Sequence, residues 1–399
     1  MGVTDYIAAV LPHLISAMPV GLRAIRFRRR KAHRMTDTLT TTRRPHVRRR
    51  ETVANTIAGL TLRGLPHIPE PVKRAMLGGR SITIDGNTLD TTLQLMLAGQ
   101  KALGLDGLVV GEDVTAARTQ LELLSASFRR RIPVTQVSDL TIGGAVGPIR
   151  ARHYRAAEPG APLLVFYHGG GHAIGSLDTH DDLCREICRS GAVHVLSVDY
   201  RLAPEHTAPA GADDAYAAYL WARDNAAALG ADPQRVAVGG DSAGGNLSAV
   251  VTLRARADGA PQPTLQVLLY PVTDHGAQTR SRTLFANGFF LTQRDMDWFT
   301  ARFLDGASVG GDHPDVSPLL AADHSGLAPA LIATAGFDPL RDEGRHYAEA
   351  LRSGGTPVDY REYGAVVHGF ANFFTLGGAS ATATADVISA MRAHLSRVG

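Results

Sequence analysis

Cysteine is nearly missing from this chain: 399 residues hold two, Cys184 and Cys188. They stand four apart in Leu183-Cys184-Arg185-Glu186-Ile187-Cys188, a stretch with helical spacing, and one helix does not bring such a pair to disulfide geometry. A disulfide-stapled fold is therefore excluded. Both thiols read as small buried hydrophobes, in keeping with a reducing, cytoplasmic setting. Long apolar runs are missing too. Tyr6 to Leu22 lacks Asp, Glu, Lys and Arg, but it carries Pro12, His13 and Pro19 and falls short of the ~20 residues that a membrane span needs. It also lacks the layout of a secretory signal, since Asp5 precedes it and the arginines follow.

Acidic residues are scarce only at the start. Residues 1–50 hold 12 Lys+Arg against 2 Asp+Glu, whereas residues 51–399 hold 29 against 36, so the formal charge of +3 hides a basic arm on an acidic body. Two readings of this arm stand side by side. In one it is a solvated, disordered tail, or an over-long start preceding Met35. In the other, Arg28 to Lys31 and Arg48 to Arg50 hold an amphipathic Tyr6–Leu22 segment against an anionic membrane surface, a peripheral contact. Nucleic acid is not an expected partner, because Phe27 is the only aromatic among the basic runs and a stacking platform needs several.

The composition of the whole chain, 44% hydrophobic and 20% charged, suits a large soluble core. Between about 51 and 132, helical patterns such as Thr91 to Leu103 and Asp113 to Phe128 alternate with Gly and Pro breaks, which predicts a helical accessory region. After Arg131 the period shortens. Val134–Ile142, Ile149–Tyr154, Leu163–Tyr167, Val193–Val198, Val236–Val238, Leu265–Leu269, Ala330–Ala335 and Val358–Tyr363 read as strands. Helical stretches fall between most of them, at Thr179–Cys188, Ala212–Ala228, Gly245–Ala257, Arg341–Ser353 and Ala383–Leu395. Apolar strands alternating with helices predict an α/β domain over 133–399, a mostly parallel sheet covered on both faces. The interval of about 273–317 is too long for a simple crossover, and predicts a second helical excursion, Thr292–Leu304.

The chemistry concentrates at strand ends. In Gly240-Asp241-Ser242-Ala243-Gly244 a G-x-S-x-G pattern follows an apolar strand and opens an apolar helix, the context of a nucleophile elbow. Small neighbours let the chain turn tightly, and the helix start offers free N–H groups to an oxyanion. Seventy-four residues earlier, Leu163–Tyr167 runs into His168-Gly169-Gly170-Gly171, where bare glycine N–H groups are free to converge on one developing negative oxygen. A phosphate cradle is the rival reading, but no Lys-Ser/Thr pair stands at the spacing it requires. His168 reads as a structural residue that bonds its own loop.

A serine hydroxyl needs a base, and the base needs an orienting acid. Asp338 leaves the strand ending at Ala335, and His368 leaves the strand ending at Tyr363, so serine, acid and base follow in the order this architecture requires. Asp342 and Glu343 are rival acids, better explained as first-turn acids of the next helix. His346 lies within that helix.

These pieces resemble the hormone-sensitive-lipase-like (family IV) bacterial carboxylesterases and lipases of the α/β-hydrolase fold. The resemblance rests on His168-Gly169-Gly170-Gly171, Asp199 to Glu205, Gly240 to Gly245, Asp338 to Glu343 and His368-Gly369-Phe370, and residues 84–157 look more narrowly like the mycobacterial lipase N group. It implies an eight-stranded sheet with an N-terminal helical cap, and Gly170, Gly171 and Ala243 as oxyanion donors. It also implies short- to medium-chain acyl esters as substrates, cleaved through an acyl-enzyme with no metal or organic cofactor. Phe289, Phe290 and Leu291 are expected either in the acyl-pocket wall or in the core. Many relatives carry a bulky aromatic after the glycine run. Here His172 stands in its place, which predicts a smaller or more polar wall. Receptors of this fold lack the histidine that His368 supplies, and amide hydrolysis stays open as a neighbouring chemistry.

Overall fold

The computed structural model describes residues 64–102, 104–105 and 107–396. The basic arm, the Tyr6–Leu22 stretch and Met35 lie outside the described residues. Ahead of the main sheet stand α1 (Glu70–Met76), a hairpin of β1 (Thr83–Ile84) and β2 (Asn87–Thr88), α2 (Thr91–Ala102) and α3 (Val114–Ser127). The hairpin turns on Asp85 and Gly86, at φ 53° and 78°, the left-handed pair that a two-residue turn with the natural strand twist requires. Asp113 caps α3, its carboxylate accepting from Thr115 N–H.

The rest of the chain alternates strand and helix: β3 (Gln136–Gly143), β4 (Pro148–Arg155), β5 (Ala161–Tyr167), α4 (Asp181–Gly191), β6 (His194–Asp199), α5 (Ala210–Asn225), β7 (Ala231–Asp241) and α6 (Ala243–Ala257). Then follow β8 (Gln266–Leu269), α7 (Arg280–Leu284), α8 (Gln293–Leu304), β9 (Ala330–Phe337), α9 (Arg341–Ser353), β10 (Val358–Val367) and α10 (Gly378–Ser396). The eight strands β3 to β10 form one sheet in the order β10-β9-β8-β7-β5-β6-β4-β3. β4 runs antiparallel to both neighbours and the other pairings are parallel.

Every residue of β5 and β9 is buried, which explains their unbroken apolar runs: helices cover both faces of the sheet. Along β5, Leu164 and Phe166 face one side, packing with α4 and α10 through Leu183, Ile187, Val387 and Met391. Leu163, Val165 and Tyr167 face the other and meet α5 and α6 through Ala215, Ala218, Leu247 and Val251. Cys184 and Cys188 sit buried and unbridged in the first of these layers. A third cluster lies above the strand ends, where Val109, Ala117, Leu291, Met296 and Phe299 close over Ala173 and Ile174. Among the described residues no helix is long and apolar enough to cross a membrane.

Two boundaries differ most from the sequence expectation. β7 begins at Ala231 rather than near Val236, because Ala231 already pairs with Ala161 across a bulge, although the strand between is partly exposed and polar. α10 begins at Gly378 rather than near Ala383. Its first turn of small residues carries no apolar period, yet Ser380 is buried, and Asp90 accepts from Ala379 N–H at 3.1 Å.

Candidate active site

The parallel strands β5, β7, β9 and β10 end on one edge of the sheet, and their loops converge there. β7 leads directly through Ser242 into α6, and Ser242 takes φ 54°, ψ −115°. That left-handed conformation costs a non-glycine residue about 1–3 kcal/mol, and the surroundings enforce it. Ser242 N–H donates to Leu269 O at 2.8 Å, and Ser242 O accepts from Asn246 N–H at 3.0 Å. The turn also needs its glycines. A Cβ on Gly244 would stand 1.8 Å from Tyr167 O, and one on Gly240 2.3 Å from the same oxygen.

β9 delivers Asp338 and β10 delivers His368. His368 Nδ1 donates to Asp338 Oδ2 at 2.8 Å, and Ser242 Oγ donates to His368 Nε2 at 3.0 Å. Asp338 is fully buried, and its second oxygen accepts from Leu340 N–H at 2.8 Å. A carboxylate is acceptor-only, so Nδ1 must carry the proton and Nε2 is left free to take one from serine. Tyr270 meets the His368 ring edge-on at 4.9 Å between centroids. The rivals are engaged elsewhere. Asp342 accepts from Ser281 N–H and Arg341. Glu343 accepts from Thr273 N–H and Arg282. Both therefore tie α9 to the 273–317 excursion, in addition to standing in the first turn of that helix. His346 lies on α9.

The glycine loop follows β5. Gly170 and Gly171 have φ of 120° and 56°, and a Cβ on Gly171 would stand 2.2 Å from the Phe299 ring. Among the described residues, the N–H groups of Gly170, Gly171 and Ala243 donate to no protein acceptor, so they face the cleft unspent. His168 is fully buried; its Nδ1 donates to Gly169 O at 2.8 Å, and its ring stacks on Tyr200. Burial, with His180 nearby, pushes the His168 imidazole down to about 4, so it stays neutral and holds the loop.

Sequence reasoning assigned no task to Asp241, although it stands within the elbow motif. Its carboxylate accepts from Gly169 N–H at 2.9 Å and from Asn372 Nδ2 at 2.9 Å, and lies 3.1 Å from His180 Nε2. One buried side chain thus joins the elbow, the glycine loop and the turn after His368. Burial opposes its ionisation, but His180, Gly169 N–H and Asn372 outweigh that and hold the carboxyl below its ordinary value.

The cleft above these groups encloses about 930 Å³ measured out to open solvent. Leu121 and Leu124 of α3, with Leu108 and Phe128 from the loops on either side of it, line it from the N-terminal part of the chain, and Phe290, Leu291, Met296 and Phe299 from the excursion. Phe290 and Leu291 are therefore wall residues, whereas Phe289 packs on Phe285 and Phe337. His172 lines the cleft as well.

A family model described as the alpha/beta hydrolase fold matches residues 164–372, and the chain belongs to that family, in the hormone-sensitive-lipase-like branch that its motifs resemble. Among its relatives, the carboxylic ester hydrolase LipN of Mycobacterium tuberculosis is 56% identical over 87% of this chain and 94% of its own length. The carboxylesterase NlhH of the same species is 41% identical over 71% of this chain and 90% of its own. Of solved structures, an esterase from Pyrobaculum calidifontis superposes with a TM-score of 0.71 at 39% identity, covering 76% of this chain and 98% of that one.

Proposed function

We propose that this carboxylic ester hydrolase uses Ser242 as nucleophile, His368 as general base and acid, and Asp338 as the group that orients His368. The observation that supports the assignment most directly is the unbroken hydrogen-bond chain from Ser242 Oγ through His368 to Asp338, beside three free N–H groups. Ser242 Oγ attacks the ester carbonyl as His368 Nε2 takes its proton. The oxyanion then rests on the N–H groups of Gly170, Gly171 and Ala243, an arrangement worth several kcal/mol to the tetrahedral intermediate. His368 returns the proton to the departing alcohol, leaving an acyl-serine. Water repeats the sequence and frees the acid. The helices of 64–132 and the 273–317 excursion act as the cap, and their apolar wall holds a short- to medium-chain acyl group.

The test is a series of p-nitrophenyl esters of rising chain length with matched anilides, run on the wild type and on Ser242→Ala. The variant is expected to lose roughly 10⁴- to 10⁶-fold in kcat, and the wild type to favour short or medium chains over long ones. Equal turnover of anilide and ester would make the chain an amidase in practice. Turnover that survives in Ser242→Ala would remove Ser242 as nucleophile.

A further inference from the structure

Most of the cleft wall is apolar, but one corner is not. His172, His275, Thr300 and Arg282 line it together. His172 follows the oxyanion glycines at φ 59°, a left-handed conformation uncommon outside glycine, and it is 2% exposed. Its ring lies flat on Phe303, with 4.0 Å between centroids, and 5.7 Å from the ring of His275. Neither ring nitrogen of His172 has a hydrogen-bond partner, nor does Nε2 of His275. Leaving a buried polar group unpaired costs about 1–3 kcal/mol. An apolar ring in the same stacked position would avoid that cost, so the imidazoles are poorly explained as packing alone.

The charge state narrows what they would take. Burial, then the neighbouring His275, drives the His172 imidazole well below its ordinary range. Burial, then Arg282, pushes His275 down to about 4. Arg282 is itself occupied, donating to Glu343 at 2.8 Å and to the carbonyls of Asp274 and His275. Among the described residues this corner is polar without a free cation, so a carboxylate finds no counter-ion among them. A neutral imidazole offers one donor and one acceptor, and a hydroxyl offers the same pair in return.

We propose that His172 and His275 form a polar subsite that receives a hydroxyl carried on the acyl or the alcohol arm of the ester, and that the enzyme favours such esters over alkyl esters of equal shape. The inference rests on the ester-hydrolase reading of the cleft. Two isosteric pairs separate the arms: methyl 3-hydroxybutanoate against methyl 3-methylbutanoate for the acyl side, and 2-hydroxyethyl butanoate against propyl butanoate for the alcohol side. The readout is the ratio of kcat/KM, hydroxylated over alkyl, in the wild type, in His172→Phe and in His275→Leu, each checked for folding by its thermal melt. In at least one arm the wild-type ratio should exceed one, and each folded variant should lower it about tenfold, the size of one good hydrogen bond. If His172→Phe does not fold, His275→Leu decides. A ratio that moves less than twofold in both arms, or a wild type that prefers both alkyl members, overturns the subsite. Ser242→Ala is assayed on the same four esters, and wild-type turnover there would sink the hydrolase reading itself, whatever the ratios show.

Discussion

Ser242, Gly170, Gly171 and His368 reach the cleft from the ends of β7, β5 and β10, whereas Leu108, Leu121, Phe290 and Phe299 reach it from segments outside the main sheet. The floor is positioned by backbone. β7 pairs with β8 as far as Asp241 and Leu269, the next N–H, that of Ser242, extends that ladder, and glycines let α6 press against Tyr167 O. The cover, beyond its apolar cluster, is tied down by single side chains. Asp295 of α8 accepts from Leu108 and Val109 N–H at 3.0 and 2.9 Å, joining the two segments that cover the cleft. Arg118 of α3 donates to Ala173 O and Ala203 O and pairs with Glu205. Asp85 of the hairpin holds both Arg280 and Arg341. Ladder bonds and close glycine contacts act as one cooperative unit, while each tether of the cover can be cut alone. The floor should therefore govern the chemical step and the cover the capture of substrate.

Asp338→Asn should have the largest effect. Its amide keeps an oxygen for Leu340 N–H but can present an NH₂ to His368 Nδ1, so the imidazole takes the tautomer that cannot accept the Ser242 proton. A loss of about 10⁴-fold in kcat is expected, with the melting temperature changed far less than the rate. A fall of less than tenfold would mean that His368 is oriented by something other than this carboxylate. Asp295→Ala comes next and tests the cover. It removes the acceptor of Leu108 N–H, Val109 N–H and Thr292 N–H, so unfolding in urea should show a loss of about 3 kcal/mol. KM for the longer esters should rise, while the rate at which a small phosphonate labels Ser242 stays near wild type. If labelling falls in step with KM, floor and cover are not separable and the contrast fails.

The same contrast accounts for what could be read from the chain. The elbow and the glycine loop were legible because each is a contiguous stretch whose small residues are required by a local backbone geometry, and alternation of apolar strands with helices was enough for an α/β sheet. Asp338 and His368 were reachable because each follows its own strand. Strand order was not legible locally, since β7 lies between β5 and β8 only through pairing partners far apart in sequence. Asp295 was invisible for the same reason, because the N–H groups it holds are 186 and 187 residues away, and nothing beside it signals that it reaches beyond capping its own helix. Asp85-Gly86 is different. A two-residue Asp-Gly turn between Ile84 and Asn87 is a hairpin signal, although it stands among several other Gly and Pro breaks that form no strand.

Asp241 is a side-chain tether within the floor, and the smallest expected effect lies there, in its pH dependence. Its carboxyl is held below its ordinary value near 3.8: burial works against the charge, but His180, Gly169 N–H and Asn372 outweigh it. The folded protein therefore binds fewer protons here than the unfolded chain does in the acid range. The resulting stability is present at neutral pH and is lost as the pH falls, first through the unfolded value and then through the lower folded one. Asp241→Asn should lie about 2 kcal/mol below wild type at pH 7 by urea unfolding, and the gap should narrow once the pH drops under about 4, the unperturbed carboxylate value. A gap as wide at pH 3 as at pH 7 would mean that the variant suffers only from a misplaced NH₂, and that charge contributes nothing to the floor. Narrowing would show that the glycine loop and the His368 turn are drawn to the elbow by a buried anion, so that even the backbone-built half of the cleft depends on one ionised side chain.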